Sequence, residues 1–181
     1  LGIPKDRLCF YVALGGGGGP ELGETVAWLS EIAATFPKLL FFQTTPPLSK
    51  DEDGILKAGN ARSVSHFPFP FAPYLSAFDG AIAGAGANTT IELINFGVPA
   101  IWVPAGSKTA ADQAWRAKNL ADNGLGWTAP RLDSEALSQA LSHMLSTDVR
   151  QAMREKMLAQ PEPRGAQRGA EVICKWLDGK Q

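Results

Sequence analysis

The residues best suited to chemistry lie in one short stretch, where two glycines precede small polar residues and a carboxylate. Gly84 and Gly86 allow the backbone to turn sharply and to approach a ligand closely. The segment 88–90, Asn-Thr-Thr, supplies side chains that can cap the start of a helix. Free N–H groups at such a helix end bind anions, and Glu92, about one turn further on, can accept hydrogen bonds from neutral hydroxyls. This pattern predicts a phosphate site beside a hydroxyl-binding carboxylate, which indicates a nucleotide ligand.

Strands and helices are expected to alternate along the whole chain. A buried strand at 79–83 leads into the glycine turn, and the following helix should end at Gly97, because Pro99 cannot continue it. The alternation predicts a Rossmann-like, doubly wound α/β domain, a parallel sheet of about six strands with helices on both faces. Further strands are expected at 8–14, 39–44, 63–67, 100–104 and 126–129, and helices at 21–36, 72–78, 111–123, 134–146, 149–159 and 166–177. Residues 1–160 form the predicted domain, and 161–181 a linker and a C-terminal helix that packs on the domain or leaves it.

Two glycine-rich turns are predicted to meet at one edge of this sheet. The run 15–19 follows the first strand and Gly84–Gly86 follows a later one, and ligands of such folds bind at the carboxyl ends of the strands. Neither turn completes a G-x-G-x-x-G frame, and the segment 106–108, Gly-Ser-Lys, lacks the Gly-Lys pair of a phosphate-binding ATPase loop. An NAD-dependent reductase and a P-loop ATPase are therefore disfavoured.

Composition narrows the class of protein further. The chain has 181 residues and a formal net charge of −1 without a basic stripe, which argues against a general nucleic-acid binder. No apolar run reaches the length of a membrane span. The first residue is Leu1 rather than Met, and the sequence shows no basic-plus-apolar signal peptide, so we expect an excised domain or a processed chain. Cys9 and Cys174 lack metal-ligand spacing and are predicted to be reduced core residues, which favours a cytoplasmic compartment.

The run from Gly84 to Pro104, followed by Asp112-Gln113, resembles the donor-binding signature of the GT-B glycosyltransferases. It looks most like the C-terminal domain of the MurG-type N-acetylglucosaminyltransferases and their relatives. The resemblance implies the donor-binding half of an enzyme that transfers a hexose, such as N-acetylglucosamine, from a UDP-sugar to an acceptor hydroxyl. It also implies that no metal ion is required. An N-terminal acceptor domain, or a separate acceptor or membrane-anchor subunit, would supply the general base and hold the enzyme peripherally at the membrane.

The resemblance implies a role for each matching position. Many relatives carry a Ser, His or Arg where this chain has Gly84 and Ala85, which leaves phosphate neutralisation to backbone amides. An Asn is common where Arg116 stands, so the substitution implies an altered sugar preference or a cation near a charged donor. The implied roles are glycine-loop contacts to the donor phosphates and the acceptor from Gly16, Gly17 and Gly18; base contacts from Phe67 and Pro68; diphosphate contacts from Gly86, Ala87, Asn88, Thr89 and Thr90; ribose contacts from Glu92; and sugar contacts from Asp112 and Gln113.

Two other functions remain open at this point. A UDP-sugar epimerase or hydrolase of the same architecture would need acidic and histidine side chains in the cleft, of which this chain shows few. Its histidines, His66 and His143, have no neighbours in sequence that would complete a catalytic triad or a metal site. A non-catalytic nucleotide-binding module is the other alternative, and the turn at Gly84-Ala85, poor in side chains, keeps it open.

Overall fold

A parallel sheet forms the centre of the molecule. The computed structural model describes residues 3–4, 6–15, 21–45, 54–65, 70–106 and 111–179. Six strands in these ranges pair in the order β3-β2-β1-β4-β5-β6, and every pair is parallel. The strands are β1 (Leu8–Ala13), β2 (Leu39–Thr44), β3 (Ala61–Val64), β4 (Gly80–Ala83), β5 (Ala100–Trp102) and β6 (Trp127–Thr128).

Helices connect and cover these strands, as the alternating pattern predicted. The chain leaves β1 towards β2 and leaves β4 in the opposite direction towards β5, so right-handed crossovers place the two connecting helices on opposite faces of the sheet. The Rossmann-like doubly wound fold is therefore confirmed. The helices are α1 (Leu22–Ala34), α2 (Ala87–Asn95), α3 (Ala111–Asp122), α4 (Ser134–Met144), α5 (Thr147–Leu158) and α6 (Gly165–Asp178), with a 3₁₀ helix at Ala72–Ala77.

The switch in direction creates a crevice between the carboxyl ends of β1 and β4. These two strands are neighbours, with Ala13 paired to Ala83 at their ends. Gly84 then donates its N–H to the carbonyl of Ala13 over 2.9 Å, which fixes the start of the second glycine turn against the end of β1. Gly15, the last residue described after β1, has a φ of 107°, a conformation that favours glycine. Both glycine turns therefore start from the same edge of the sheet.

The strand β3 begins and ends earlier than the predicted strand at 63–67. Its pairing with β2 starts at Phe41 and Ala61, because the side chain of Asn60 is held by the carbonyls of Ala33 and Leu39 just before it. As an edge strand it is only partly buried, so its sequence lacks the continuous apolar run that marks β1 and β2. Residues 66 and 67 of the predicted strand lie outside the described residues.

The helix α6 presents an apolar surface to solvent. It buries no residue, and four large apolar side chains on it are more than half exposed. They are Val172, Ile173, Trp176 and Leu177. None of the helices in the described ranges has the length and apolarity that crossing a bilayer requires.

The two cysteines occupy different environments. Cys9 is fully buried in β1, as predicted, whereas Cys174 is exposed on α6, so the prediction that both lie in the core was wrong for Cys174. Its helix is amphipathic, and the apolar residues beside the cysteine, Val172 and Ile173, suggested that this part of the helix is buried. Burial raises the pKa of the Cys9 thiol to about 12, with a smaller contribution from the charge of Asp79.

This difference predicts selective thiol chemistry. Because the thiolate is the reactive form, Cys9 should remain unmodified in the folded protein while Cys174 is alkylated. Iodoacetamide at roughly pH 8 followed by intact-mass spectrometry should add one carbamidomethyl group to the native chain and two in denaturant. The variant Cys174→Ser should add none when folded. Rapid modification of Cys9 in that variant would contradict the buried position of β1.

Candidate functional site

The N-terminus of α2 is the centre of the candidate site. The helix begins at Ala87, and its N-cap, Gly86, has extended backbone angles and no side chain to cap the helix. The N–H and the hydroxyl of Thr90 both donate to the carbonyl of Gly86, over 3.0 and 2.7 Å. The hydrogen bond of Thr90 N–H is the first of the helix, so the N–H groups of Ala87, Asn88 and Thr89 precede the intrahelical ladder.

The prediction that side chains at 88–90 cap this helix was wrong. The N-cap is Gly86, at least two residues before the predicted caps, so Asn88, Thr89 and Thr90 occupy the first turn of the helix instead of its cap. Within the described residues, no side-chain cap covers the helix end. The amides of the first turn therefore face the switch-point crevice without a protein acceptor from a cap, and the positive end of the helix dipole favours an anion there.

Glu92 lies on the exposed surface of α2 about one turn beyond the helix start. Burial raises the pKa of the Tyr11 hydroxyl above its usual value, a hydrogen bond to Thr44 opposes the rise, and the charge of Glu92 adds to it. The Glu92 carboxylate is thus within electrostatic range of the Tyr11 hydroxyl in β1. It is also accessible, as a group that binds hydroxyls must be.

The first turn of α3 packs against the same glycine turn. The Gln113 side-chain oxygen accepts from the N–H of Ala105 over 3.3 Å and lies 3.6 Å from the point where a Cβ on Gly84 would stand. Asp112 is exposed, with one carboxylate oxygen 2.9 Å from a guanidinium nitrogen of Arg116. The structure thus brings the predicted sugar-binding pair, Asp112 and Gln113, close to the predicted phosphate-binding turn.

A second set of charged residues joins the loops around the crevice. The Glu21 carboxylate accepts from the N–H of Gly106 over 3.1 Å and lies 3.6 Å from Arg131, which also forms a 2.6 Å ion pair with Glu24. These contacts connect the beginning of α1, directly after the first glycine run, to the loop after β5. Glu21 and Arg131 are not among the predicted site residues, because partners so far apart in sequence leave no local pattern.

The remaining predicted site residues fall outside the part of the chain that the structure describes. Gly16, Gly17, Gly18, Phe67 and Pro68 lie outside the described residues. His66 lies outside them as well, and His143 is exposed on α4 with its ring 5.4 Å from that of Trp127. No cluster of three or more potential metal ligands occurs in the part of the chain that the structure describes.

The family model and the similar proteins agree on one protein family. Residues 38–169 match the model of the glycosyltransferase family 28 C-terminal domain. A UDP-N-acetylglucosamine–N-acetylmuramyl-(pentapeptide) pyrophosphoryl-undecaprenol N-acetylglucosamine transferase from Bacillus licheniformis is 25% identical over 170 residues, which cover 90% of this chain and 46% of the relative. The transferase of the same name from Acetivibrio thermocellus is 33% identical over 129 residues, 68% of this chain and 34% of the relative.

Solved structures share the fold. The crystal structure of Acinetobacter baumannii MurG superposes with a TM-score of 0.75 at 23% identity, and the match covers 96% of this chain and 51% of that one. The spinosyn rhamnosyltransferase SpnG, complexed with thymidine diphosphate, gives a TM-score of 0.65 at 20% identity, over 92% and 46% of the two chains.

The matches cover most of this chain but only part of each relative. The chain spans about half the length of the curated relatives that it matches along most of its own length. The segment matched by the family model contains the start of α2, Glu92 and the first turn of α3. The chain belongs to the glycosyltransferase family 28 C-terminal domain family.

Proposed function

We propose that this chain is the donor-binding half of a glycosyltransferase that transfers a hexose from a UDP-sugar to an acceptor hydroxyl. N-acetylglucosamine or a related hexose is the proposed sugar, in line with the names of the curated relatives. The observation that carries the proposal is the uncapped N-terminus of α2 at the switch-point crevice, with Glu92 beside it. The helix N-terminus suits the negative charge of a diphosphate, and the Glu92 carboxylate suits the hydroxyls of a ribose.

The proposed mechanism depends on stabilising the leaving group. The bond between the anomeric carbon and the diphosphate oxygen breaks while the acceptor oxygen forms its bond to the same carbon and loses its proton to a base. Charge then develops on the diphosphate, where the amides of Ala87, Asn88 and Thr89 and the dipole of α2 would stabilise it. This source of stabilisation is built into the backbone, so we propose that no bound metal ion is needed.

The other groups would orient the donor. We assign Glu92 to the ribose hydroxyls, because a carboxylate accepts two hydrogen bonds from neighbouring hydroxyls. Asp112 and Gln113 are assigned to the hydroxyls of the donor sugar, since an acceptor and an amide together suit a vicinal diol. Gln113 lies against the glycine turn, and Asp112 is joined to that turn through Arg116, so this pair would place the sugar next to the diphosphate, as the connectivity of a nucleotide-sugar requires.

The acceptor and the general base would come from outside this chain. We propose an N-terminal acceptor-binding domain, or a separate subunit that also anchors the enzyme to the membrane. The names of the curated relatives specify a pyrophosphoryl-undecaprenol acceptor, which is lipid-linked. A cytoplasmic enzyme, peripheral at the membrane through this second half, fits such an acceptor. The chain alone should bind the donor but transfer poorly.

Calorimetric titration of the 181-residue chain with UDP tests this proposal, with TDP, GDP and NAD as comparison ligands. Saturable binding of UDP in the micromolar-to-millimolar range, with NAD inactive, is the expected result. A preference for TDP would be compatible with a transferase but would change the nucleotide of its proposed donor, in line with the thymidine diphosphate complex of SpnG. Binding of none of these ligands would overturn the proposal, and release of UDP from a UDP-sugar without any acceptor would favour the epimerase or hydrolase.

A further inference from the structure

We propose that Arg116 is a positioning residue for the diphosphate site: it holds the peptide between Ala85 and Gly86 and thereby aims the turn at the ligand. The inference rests on the proposed function. It concerns a residue of α3 that contacts both the glycine turn and the first turn of its own helix.

The guanidinium of Arg116 joins two parts of the site. One of its terminal nitrogens donates to the carbonyl of Ala85 over 2.5 Å, and the other lies 2.9 Å from the Asp112 carboxylate. About three quarters of the side chain is buried, its exposed fraction being 24%. A guanidinium presents its donors in a rigid fork, so both partners are held in one geometry.

Holding the Ala85 carbonyl determines the direction of the next N–H. In a trans peptide the C=O and the following N–H point to opposite sides, so a carbonyl directed at α3 leaves the Gly86 N–H directed away from α3. Gly84 and Gly86 flank this peptide, and glycine resists a rotation of the backbone only weakly. Ala85 is fully buried, so its carbonyl needs a hydrogen-bond partner within the protein. The guanidinium of Arg116 is such a partner.

The same side chain offsets a charge that would disfavour the ligand. Asp112 stands at the first turn of α3, close to the glycine turn, and its carboxylate would repel a diphosphate bound at α2. Pairing with Arg116 compensates that charge while leaving the second carboxylate oxygen available to a sugar hydroxyl. Arg116 should therefore matter more for ligands with a diphosphate than for ligands without one.

The test compares UDP with uridine, measured by calorimetry on the wild-type chain and on Arg116→Met. The variant keeps the aliphatic stem and removes the fork and the charge. We expect it to lose about tenfold or more in affinity for UDP while its affinity for uridine stays within about twofold. Arg116→Lys should recover part of the loss, because an ammonium keeps the charge but cannot hold both partners.

Lys118→Met is the matched control. Lys118 lies on the same helix and forms an ion pair of the same i,i+4 spacing with Asp122 at 2.6 Å, but it is exposed. Its loss removes one positive charge from α3 and should change neither affinity. Thermal melts of all variants report whether they fold. If Arg116→Met does not fold, the affinities for UDP and uridine are compared on Arg116→Lys instead.

The outcomes separate the two proposals. Equal losses for UDP and uridine in Arg116→Met, or no loss for either, would overturn the positioning role while leaving UDP binding by the wild type intact. A loss of UDP affinity in Lys118→Met as large as that in Arg116→Met would overturn it as well, since a general charge effect would then suffice. If the wild-type chain binds neither ligand, the proposed function and this inference fail together.

Discussion

Glu92→Ala should weaken UDP binding roughly ten- to hundredfold without changing the stability of the chain. Hydrogen bonds to a charged group contribute about 1.5–3 kcal/mol, and an exposed helix residue contributes little to folding. The carboxylate is accessible, and its charge acts on the Tyr11 hydroxyl of β1. Calorimetric titration with UDP measures the loss, and urea unfolding measures the stability.

Two comparisons make this result specific to the ribose. Asn95→Ala changes another exposed side chain at the far end of α2 and should leave the affinity for UDP unchanged. TDP lacks the 2′-hydroxyl, so the variant should lose less affinity for TDP than for UDP. Equal losses for the two nucleotides would place the effect of Glu92 on the diphosphate or on the helix, and an unchanged affinity for UDP would refute the assignment.

Gly126→Ala should destabilise the fold by about 3 kcal/mol or more. A Cβ on Gly126 would lie 2.2 Å from the indole nitrogen of Trp102 and 2.7 Å from the carbonyl of Ala100. Gly126 also has a φ of 142°, which other residues adopt only with strain. Trp102 is fully buried and its indole N–H donates to the carbonyl of Leu125, so the ring cannot move aside without losing that hydrogen bond. Urea unfolding monitored by circular dichroism measures the change.

Gly59→Ala is the control for this substitution. A Cβ at Gly59 would meet no atom within 4 Å, so the same chemical change should alter the free energy of unfolding only slightly. If Gly126→Ala and Gly59→Ala unfolded at similar urea concentrations, that result would be incompatible with the packing of Trp102 against the segment between α3 and β6. Tryptophan fluorescence adds an independent signal, because the environment of Trp102 should change in Gly126→Ala.

The sequence predicted the fold well because buried parallel strands leave an unbroken apolar signal. β1 and β2 are buried on both faces, and their predicted bounds agree closely with the structure. The edge strand β3 is only partly buried, so its composition could not locate it, and its position depends on contacts of Asn60 with distant carbonyls. The exposure of Cys174 was missed for a related reason: an apolar helix face does not reveal whether it has a partner.

The sequence predicted the backbone of the candidate site, a strand followed by a glycine turn and a helix start, because these elements need particular residue types. A glycine turn between a strand and a helix requires particular residue types, and the stretch from Gly84 to Glu92 shows them together. The predicted cap was wrong by at least two residues, because Gly86 caps the helix with its backbone and has no side chain that could mark the boundary. The contacts of Arg116 with Ala85 and of Glu21 with Gly106 join residues far apart in sequence, which no local pattern reveals.

The pairing of β1 with β4 also affects how the chain emerges from the ribosome. Cys9, in β1, and Asp79, just before β4, are joined by a hydrogen bond although they lie 70 positions apart in sequence. At translation rates of roughly 5–20 residues per second, the nascent chain exposes one side of β1 for about 4–14 seconds before β4 is made. An apolar strand with an unpaired side is a site for aggregation. Among the described strand pairs, β1 and β4 are the farthest apart in sequence, so β1 waits longest for this neighbour, and no nucleotide can stabilise the pair before the Gly84–Gly86 turn has been synthesised.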